Sequence, residues 1–133
     1  MLSYLSGLSA FLMYWGFAAF ATAAFVGIYL WITPQRELKL IAQGNLSAAI
    51  SLSGVILGFV LPIASALAHS VSLGDLASWS AVAFAVQIIA YVVIRLMWRD
   101  LKSEVEKDNR AVAVLAAVLS VAAGTLNAAA MTY

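Results

Sequence analysis

The sequence contains no cysteine, and this absence excludes disulfides, thiol nucleophiles and cysteine-ligated metals. It has one histidine, and none of its six acidic residues falls inside a long apolar run. No pair of titratable groups is placed to share a proton, and no metal-ligand spacing occurs. We therefore expect that the chain is not an enzyme and binds no cofactor. Its net charge of +1 gives no electrostatic footprint for nucleic acid.

Charge is scarce, since 10% of the residues are charged, against about 25% in a typical soluble domain. Twelve of the thirteen charged residues fall in two short segments, three at 36–39 and nine at 95–110, and the other is Asp75. The chain is 65% hydrophobic. Helices that are apolar all round belong in a membrane or at the centre of a large protein, and 133 residues cannot make a large protein. The composition therefore predicts an integral membrane protein.

Four runs are long enough to cross a bilayer as helices, which needs about 20 apolar residues. Their length excludes barrel strands, which are about 10 residues long and alternate polar with apolar positions. We predict spans at Leu8–Ile32, Leu46–Ala68, Leu76–Met97 and Ala111–Met131. The expected fold class is all-α, a polytopic membrane protein with residues 1–133 in a single membrane domain.

The seven Lys and Arg residues all flank one side of the predicted spans. They follow the first span or surround the end of the third. The N-terminal stretch, the connection His69–Asp75 and the C-terminus carry none. Because Lys and Arg are retained on the cytoplasmic side, this bias predicts that both termini lie outside.

A comparison of the chain with itself at an offset of 64 residues aligns Trp15 with Trp79 and Asn45 with Asn109. These matches predict two tandem repeats, at about 8–68 and about 73–131. Each repeat contains two spans, so the copies run in the same direction and form a parallel repeat about an axis along the membrane normal.

The connections on the basic side have a readable local structure. Thr33 is expected to cap a short helix that begins at Pro34, and Gly44 is expected to end it. Asn45 and Asn109 each stand one residue before an apolar span, where an interfacial N-cap is needed. Four basic residues are candidates for lipid headgroup contacts: Arg36, Lys39, Arg95 and Arg99. For Arg95 and Arg99, pairing with Glu37, Glu104 or Asp108 is the alternative.

Small residues recur four apart in two spans. Such ridges let helices approach closely, because association in lipid depends on packing. The contact could lie within one chain or between subunits. The predicted helix-packing residues are Gly54, Gly58, Ala116, Ser120, Gly124 and Ala128.

A few polar or helix-distorting residues lie inside the predicted spans. Pro62 cannot donate to the carbonyl of Gly58, so a kink with a freed carbonyl is expected there. Gln87 lies near the middle of the third span, where an unbonded amide is costly. One interpretation is hydrogen bonding and packing between helices. The other is a polar pathway lined by Ser51, Pro62, Gln87 and Asn127.

The Gly44-Asn45 turn, the run Ser53–Pro62 and the ending Gly124–Thr132 together resemble the YjfL-like bacterial inner-membrane family of unknown function. The resemblance covers nearly the whole chain. It implies a multi-pass protein of the bacterial inner membrane with two tandem repeats, and a link to envelope stress. It carries over no reaction or substrate. Family members often have cysteine where this chain has Ala130, which puts any thiol role at that position in doubt.

Three functional hypotheses follow. The first is a homo-oligomer, assembled through the small-residue ridges, that acts as a pore or a membrane scaffold. The second is an adapter that docks a cytoplasmic protein partner on the charged turns at 34–44 and 99–109. A small secondary transporter comes third, because no charged residue is available near the midplane for ion coupling.

Overall fold

The computed structural model describes residues 2–33 and 36–131, with side chains from residue 4 onward. Within this part the chain is all-helical and has no strand. Four of its helices are long and apolar enough to cross a membrane, which confirms the predicted fold class and number of spans. The helices are α1 (Leu2–Ile32), α2 (Glu37–Ala42), α3 (Leu46–His69), α4 (Leu73–Met97), α5 (Leu101–Glu106) and α6 (Arg110–Ala130).

Each of the last three long helices begins at a side-chain cap. The Asn45 carbonyl oxygen accepts a hydrogen bond from the Ala48 N–H at 2.9 Å, and Asn109 serves Val112 in the same way at 3.4 Å. Ser72 caps α4 through its hydroxyl. These bonds satisfy N–H groups that a helix start leaves without an intrahelical partner. The structure thus places both predicted asparagines at helix starts.

The first short helix begins later than the sequence suggests. Pro34 lies outside the described residues, and α2 starts at Glu37. The Thr33 hydroxyl, which was expected to cap this helix, donates instead to the Tyr29 carbonyl at the end of α1. Arg36, directly before α2, has φ 47°, in the left-handed region where side chains are rarely found. This turn aims Glu37 into the bundle.

The bundle is organised around α3 and α6, which we call the central pair. Gly54 lies against Ala117 near the start of both helices, and the Ser65 hydroxyl donates to the Ala128 carbonyl near their ends, at 3.1 Å. The two helices therefore run parallel and side by side. Helix α4 packs against both of them, and α1 contacts α3 and α4.

Helix α1 is attached mainly by aromatic rings. The Phe25 ring stacks on Phe59 of α3 with centroids 4.3 Å apart, and meets Phe84 of α4 edge-on at 5.3 Å. Tyr29 meets Tyr91 of α4 edge-on, also at 5.3 Å. The other half of α1, from Tyr4 to Met13, is exposed at every position, as expected of a helix that faces lipid.

The helix starts recur at the offset found in the sequence. Helices α2 and α5 begin at 37 and 101, and α3 and α6 begin at 46 and 110, a difference of 64 residues in both cases. A duplication would produce this spacing. The duplication itself, its two units and the outside location of the termini stay predictions. We call the end of the bundle that carries α2, α5 and all seven Lys and Arg residues the basic end.

Candidate functional site

The central pair meets through backbone rather than through side chains. A Cβ added to Gly54 would collide with the Cα of Ala117, and one added to Gly58 would collide with the Ser120 carbonyl. A Cβ added to Gly124 would collide with the Gly58 carbonyl. Only glycine fits at these positions without moving a helix. The contact is the close approach that small residues permit in membranes.

Proline 62 helps to explain the closest of these contacts. Helix α3 continues through Pro62, which is buried and has no N–H to donate to the Gly58 carbonyl. That carbonyl lies against Gly124, whose Cα–H is a weak hydrogen-bond donor. The carbonyl freed by the proline therefore faces a neighbouring helix.

Gln87 makes an interhelical hydrogen bond in the same region. Its side chain is 2% exposed, and its amide nitrogen donates to the Ser120 carbonyl at 3.1 Å. A Cβ at Gly58 would lie 2.7 Å from this nitrogen. Gln87 thus ties α4 to the central pair through a bond across the helix boundary.

The residues proposed to line a pathway lie at different depths of the bundle. Ser51 is buried in the second turn of α3, near the basic end. Asn127 is half-buried in the last turn of α6, and the rise of an α-helix places it about 18 Å further along the bundle. Its amide nitrogen is buried and makes no hydrogen bond to the described part of the chain. Ala116 is buried and Ala128 is half-buried, and both lie on the α6 surface that meets α3 or α5.

An apolar groove runs along the outer side of the central pair, away from α1. It has a volume of about 580 Å³. Its floor consists of small residues from both helices, and Leu57 forms part of one wall. The small residues that line it are Ala49, Ser53, Gly54, Ala117 and Ala122.

Ser53 is the polar residue of this groove, and it is exposed. It lies seven residues after the start of α3, about 10 Å into the span. Thr22 and Thr125, in contrast, each donate to a carbonyl of their own helix, at 2.9 and 2.8 Å. Within the described part of the chain, the Ser53 hydroxyl makes no such bond. Its hydroxyl thus faces the hydrocarbon with its donor and acceptor unused.

The two connections at the basic end are hydrogen-bonded to each other. The Asn45 amide donates to the Val105 carbonyl at 2.9 Å. The carboxylate of Asp108 accepts from both the N–H and the hydroxyl of Ser47, at 2.9 and 2.7 Å. These bonds lower the pKa of Asp108, because they favour its ionised form. The starts of α3 and α6 are therefore fastened together as one unit.

Sequence reasoning missed Asp108, although a signal existed. The 64-residue offset aligns Asp108 with Gly44, and the two have left-handed φ values of 61° and 86°. Glycine adopts this conformation freely, whereas aspartate does so less often. An aspartate in a turn that suits glycine indicates that its side chain has a role. Here the carboxylate accepts hydrogen bonds from Ser47.

Glu37 was also missed. It is 1% exposed, and its carboxylate accepts a hydrogen bond from the Tyr29 hydroxyl at 3.3 Å. Tyr29 packs on Tyr91, whose hydroxyl accepts from Arg95 at 2.9 Å. Arg95 is thus half-buried, and its guanidinium is hydrogen-bonded to a tyrosine hydroxyl. The other three candidates for headgroup contact, Arg36, Lys39 and Arg99, are exposed. Among the described residues, no group of three or more His, Asp or Glu could hold a metal ion.

Comparisons with known proteins place this fold in a family. The family model "Domain of Unknown Function (DUF350)" matches residues 3–131. The chain is 33% identical over 129 residues to the UPF0719 inner membrane protein YjfL of Escherichia coli (strain K12), covering 97% of this chain and 98% of that protein. It is 30% identical over 114 residues to the UPF0719 transmembrane protein YshE of Bacillus subtilis (strain 168), covering 81% and 82%. No solved structure matches. With its four apolar helices and these relatives, the chain is a multi-pass inner-membrane protein that belongs to the DUF350 family.

Proposed function

We propose that this protein is a non-enzymatic membrane scaffold that self-associates through the groove on the central pair. The observation that carries the proposal is Ser53, a hydroxyl without a partner about 10 Å deep in the span. In lipid a hydroxyl gains by finding a partner across a helix boundary. The proposed occupant of the groove is a second copy of the same chain.

The chemistry of Ser53 favours a second copy over a lipid chain. A serine hydroxyl is both donor and acceptor, so two copies can pair with each other. A twofold axis along the membrane normal would bring the same patch of both chains together, which is the usual symmetry of a dimer. An acyl chain fills the groove but offers the hydroxyl no partner.

The glycine ridges do not support assembly in the way the sequence suggests. Gly54, Gly58 and Gly124 pack against the facing helix of the same chain, so they do not form an open ridge, and of the three only Gly54 also lines the groove. The groove beside them is the apolar surface on which two copies could approach closely. A pore is the weaker form of the proposal, because Gln87 is used in an interhelical bond within the bundle. Any conducting path would have to lie between copies.

Native mass spectrometry of the protein extracted directly into lipid nanodiscs tests the proposal. We expect a discrete oligomer for the wild type and a shift to monomer for Ser53→Leu, which removes the hydroxyl and fills the groove. Ile89→Ser is the matched control, because Ile89 is exposed at a similar depth on α4. A wild type that is monomeric would overturn self-association.

Cross-linking locates the contact. The chain has no cysteine, so Ser53→Cys introduces a single thiol. We expect mild oxidation in native membranes to give a covalent dimer with Ser53→Cys and none with Ile89→Cys. Equal cross-linking at both positions would indicate random collision and would contradict the groove as the contact.

A second candidate function is the adapter that docks a cytoplasmic partner at the basic end. The bonds from Asn45 to Val105 and from Ser47 to Asp108 support it, because they hold both connections as one surface. Exposed Lys39, Lys102 and Lys107 lie on this surface. Changing these three lysines to alanine should release a partner that is cross-linked to the wild type in membranes. A partner that the triple variant retains would count against the adapter.

A further inference from the structure

We propose that a water molecule binds inside the bundle between α4 and α6, held by the Ser80 hydroxyl and the Asn127 side-chain amide. This inference is independent of the scaffold proposal. It starts from two buried polar atoms, Ser80 Oγ and Asn127 Nδ2, which have no hydrogen-bond partner in the described part of the chain. Ser80 as a whole is 6% exposed. In native proteins almost every buried polar atom is paired with a protein group or with ordered water.

Helices α4 and α6 run in opposite directions and are packed at both ends of their contact. Toward the basic end, Ile94 of α4 shares a core cluster with Ala116 of α6. At the far end, where α4 begins and α6 ends, Leu76 shares a cluster with Met131. Leu76 and Met131 are both buried, at 0% and 3% exposure. The two polar residues thus lie on helices that stay together along this stretch.

The register of the two helices brings the polar residues to the same level of the bundle. The Gln87 amide donates to the Ser120 carbonyl at 3.1 Å, and this bond aligns α4 with α6. Ser80 precedes Gln87 by seven residues, and Asn127 follows Ser120 by seven. Seven residues are about two helical turns. Both polar residues therefore lie about 10 Å from that bond toward the far end, on nearly the same helix faces.

An apolar layer separates this level from the far end of the bundle. Leu76 lies four residues before Ser80, and Met131 lies four residues after Asn127. Residues four apart lie on one helix face about one turn from each other, so both apolar side chains stand on the far-end side of the polar pair. The polar pair is thus enclosed between the Gln87 bond and this apolar cluster.

The serine does not satisfy itself within its own helix. A helical serine can donate to the carbonyl four residues earlier, as Ser78 does to Gly74 at 2.9 Å. Ser80 makes no such bond in the described part of the chain. A buried donor or acceptor without a partner is costly, and a surrounding bilayer cannot supply one. Because Ser80 and Asn127 share a level, one bound molecule can serve both.

Water is the ligand that this pair of groups fits. The Asn127 N–H donates to the water oxygen, and the water donates one proton to the Ser80 oxygen and the other to a helix carbonyl. Internal waters typically make about three such bonds to polar groups that have no other partner. The amide N–H disfavours a cation. An anion would lack a counter-charge, since no described Lys or Arg lies at this end of the bundle.

Solid-state NMR of the protein in lipid bilayers tests the inference, because it measures transfer of magnetisation from water to side-chain amides. The whole chain has three Asn and three Gln residues, so only six such amides must be distinguished. We expect transfer to the Asn127 amide and none to the Gln87 amide within the same mixing time. Gln87 is the internal control, because it is 2% exposed and bonded to a carbonyl.

Threonine and valine at position 80 separate the hydroxyl from packing, since the two side chains have nearly the same shape. Ser80→Thr keeps the hydroxyl and should retain the transfer to Asn127, whereas Ser80→Val should abolish it. Ser78→Val, at an exposed position of the same helix, should leave the transfer unchanged. All three variants should keep the helical circular dichroism of the wild type.

The other outcomes would overturn the inference. A wild type without transfer to Asn127 would mean that the two residues bond to each other directly. Transfer that is equal at Gln87, or that survives Ser80→Val, would mean that water enters without the proposed site. Loss of transfer in both Ser80→Thr and Ser80→Val would mean that the hydroxyl does not hold the water.

Discussion

The central pair and α1 show two ways of holding a helix in a lipid-embedded bundle. In the most apolar stretch of α3, 56% of the positions are buried, against 11% in α1. Helix α3 meets α6 through glycines and backbone, whereas α1 is attached through the rings of Phe25 and Tyr29. The first contact is continuous along the helix. The second is confined to the half of α1 nearest the basic end.

The difference shows where the stability of the bundle resides. Lipid chains are as apolar as a protein core, so burial of apolar area contributes little and packing decides the outcome. Lipid chains cannot replace a contact between two helix backbones. They can partly replace a contact between aromatic rings. We therefore expect the central pair to tolerate change poorly and α1 to tolerate it well.

The largest effect is expected from widening the central pair. Gly124→Leu must push α3 and α6 apart, because any side chain at 124 meets the Gly58 carbonyl. We expect destabilisation by about 3 kcal/mol, the upper range for overpacking. Circular dichroism during unfolding in SDS measures it. Gly27→Leu on α1 is the control, since a Cβ there meets nothing within 4 Å. Equal effects of the two changes would remove the contrast between the regions.

A smaller effect is expected from removing the ring that attaches α1. Phe25→Ala loses a stacked and an edge-on aromatic contact, each worth about 0.5–1.5 kcal/mol. We expect a loss of about 1.5 kcal/mol in the same assay, since lipid can fill part of the space. Phe11→Ala, at an exposed position of the same helix, should have no effect. A loss as large as that of Gly124→Leu would mean that α1 is part of the rigid core.

The bond from Gln87 sharpens the comparison, because it secures α4 to the central pair. Gln87→Met keeps the volume and removes the donor to the Ser120 carbonyl. Interhelical hydrogen bonds in membranes are worth about 0.6 kcal/mol and at most about 1.7, so we expect a loss of about 1 kcal/mol. Ile89→Met controls for the new side chain. If Gln87→Met lost no stability, the hydrogen bond from Gln87 would not stabilise the bundle.

The smallest effect concerns the fastening of the central pair by Asp108, and it depends on pH. The pKa of Asp108 is lowered in the folded protein, so its contribution is present above the ordinary carboxyl pKa of about 3.9. The contribution is lost as the pH falls through the folded value. Asp108→Asn should thus lower the midpoint of SDS unfolding, followed by circular dichroism, at pH 7. Well below pH 3 it should leave this midpoint unchanged. Asp100→Asn, at an exposed carboxyl, should match the wild type throughout.

Much of the fold could be predicted from the sequence because the length of an apolar run is a strong signal of a membrane-spanning helix. All four spans were predicted. The predicted ends of the first and third spans, Ile32 and Met97, are the last residues of α1 and α4. The start of α2 could not be predicted, since a left-handed Arg36 has no local signature. The small-residue ridges indicated close packing. Their partner within the chain followed only from the three-dimensional arrangement.

The candidate site was harder to predict, because its important residues lie in the charged connections. Charges beside a span are usually solvated, so Glu37 and Asp108 look like surface residues. Their roles depend on contacts to residues far away in the sequence, such as Ser47 for Asp108. Ser53 stands out only when its neighbours are known, because a serine in a helix can instead bond to a carbonyl of its own backbone.

The backbone contact between α3 and α6 also has a consequence for the order in which the protein is assembled. Helix α3 is synthesised before α4, and α6 emerges last of the four spans. The glycines of α3 therefore precede their partner helix, and their backbone contact is completed only once α6 has been synthesised. The backbone contact between α3 and α6 can therefore form only after the contacts of α3 with α1 and α4 have become possible.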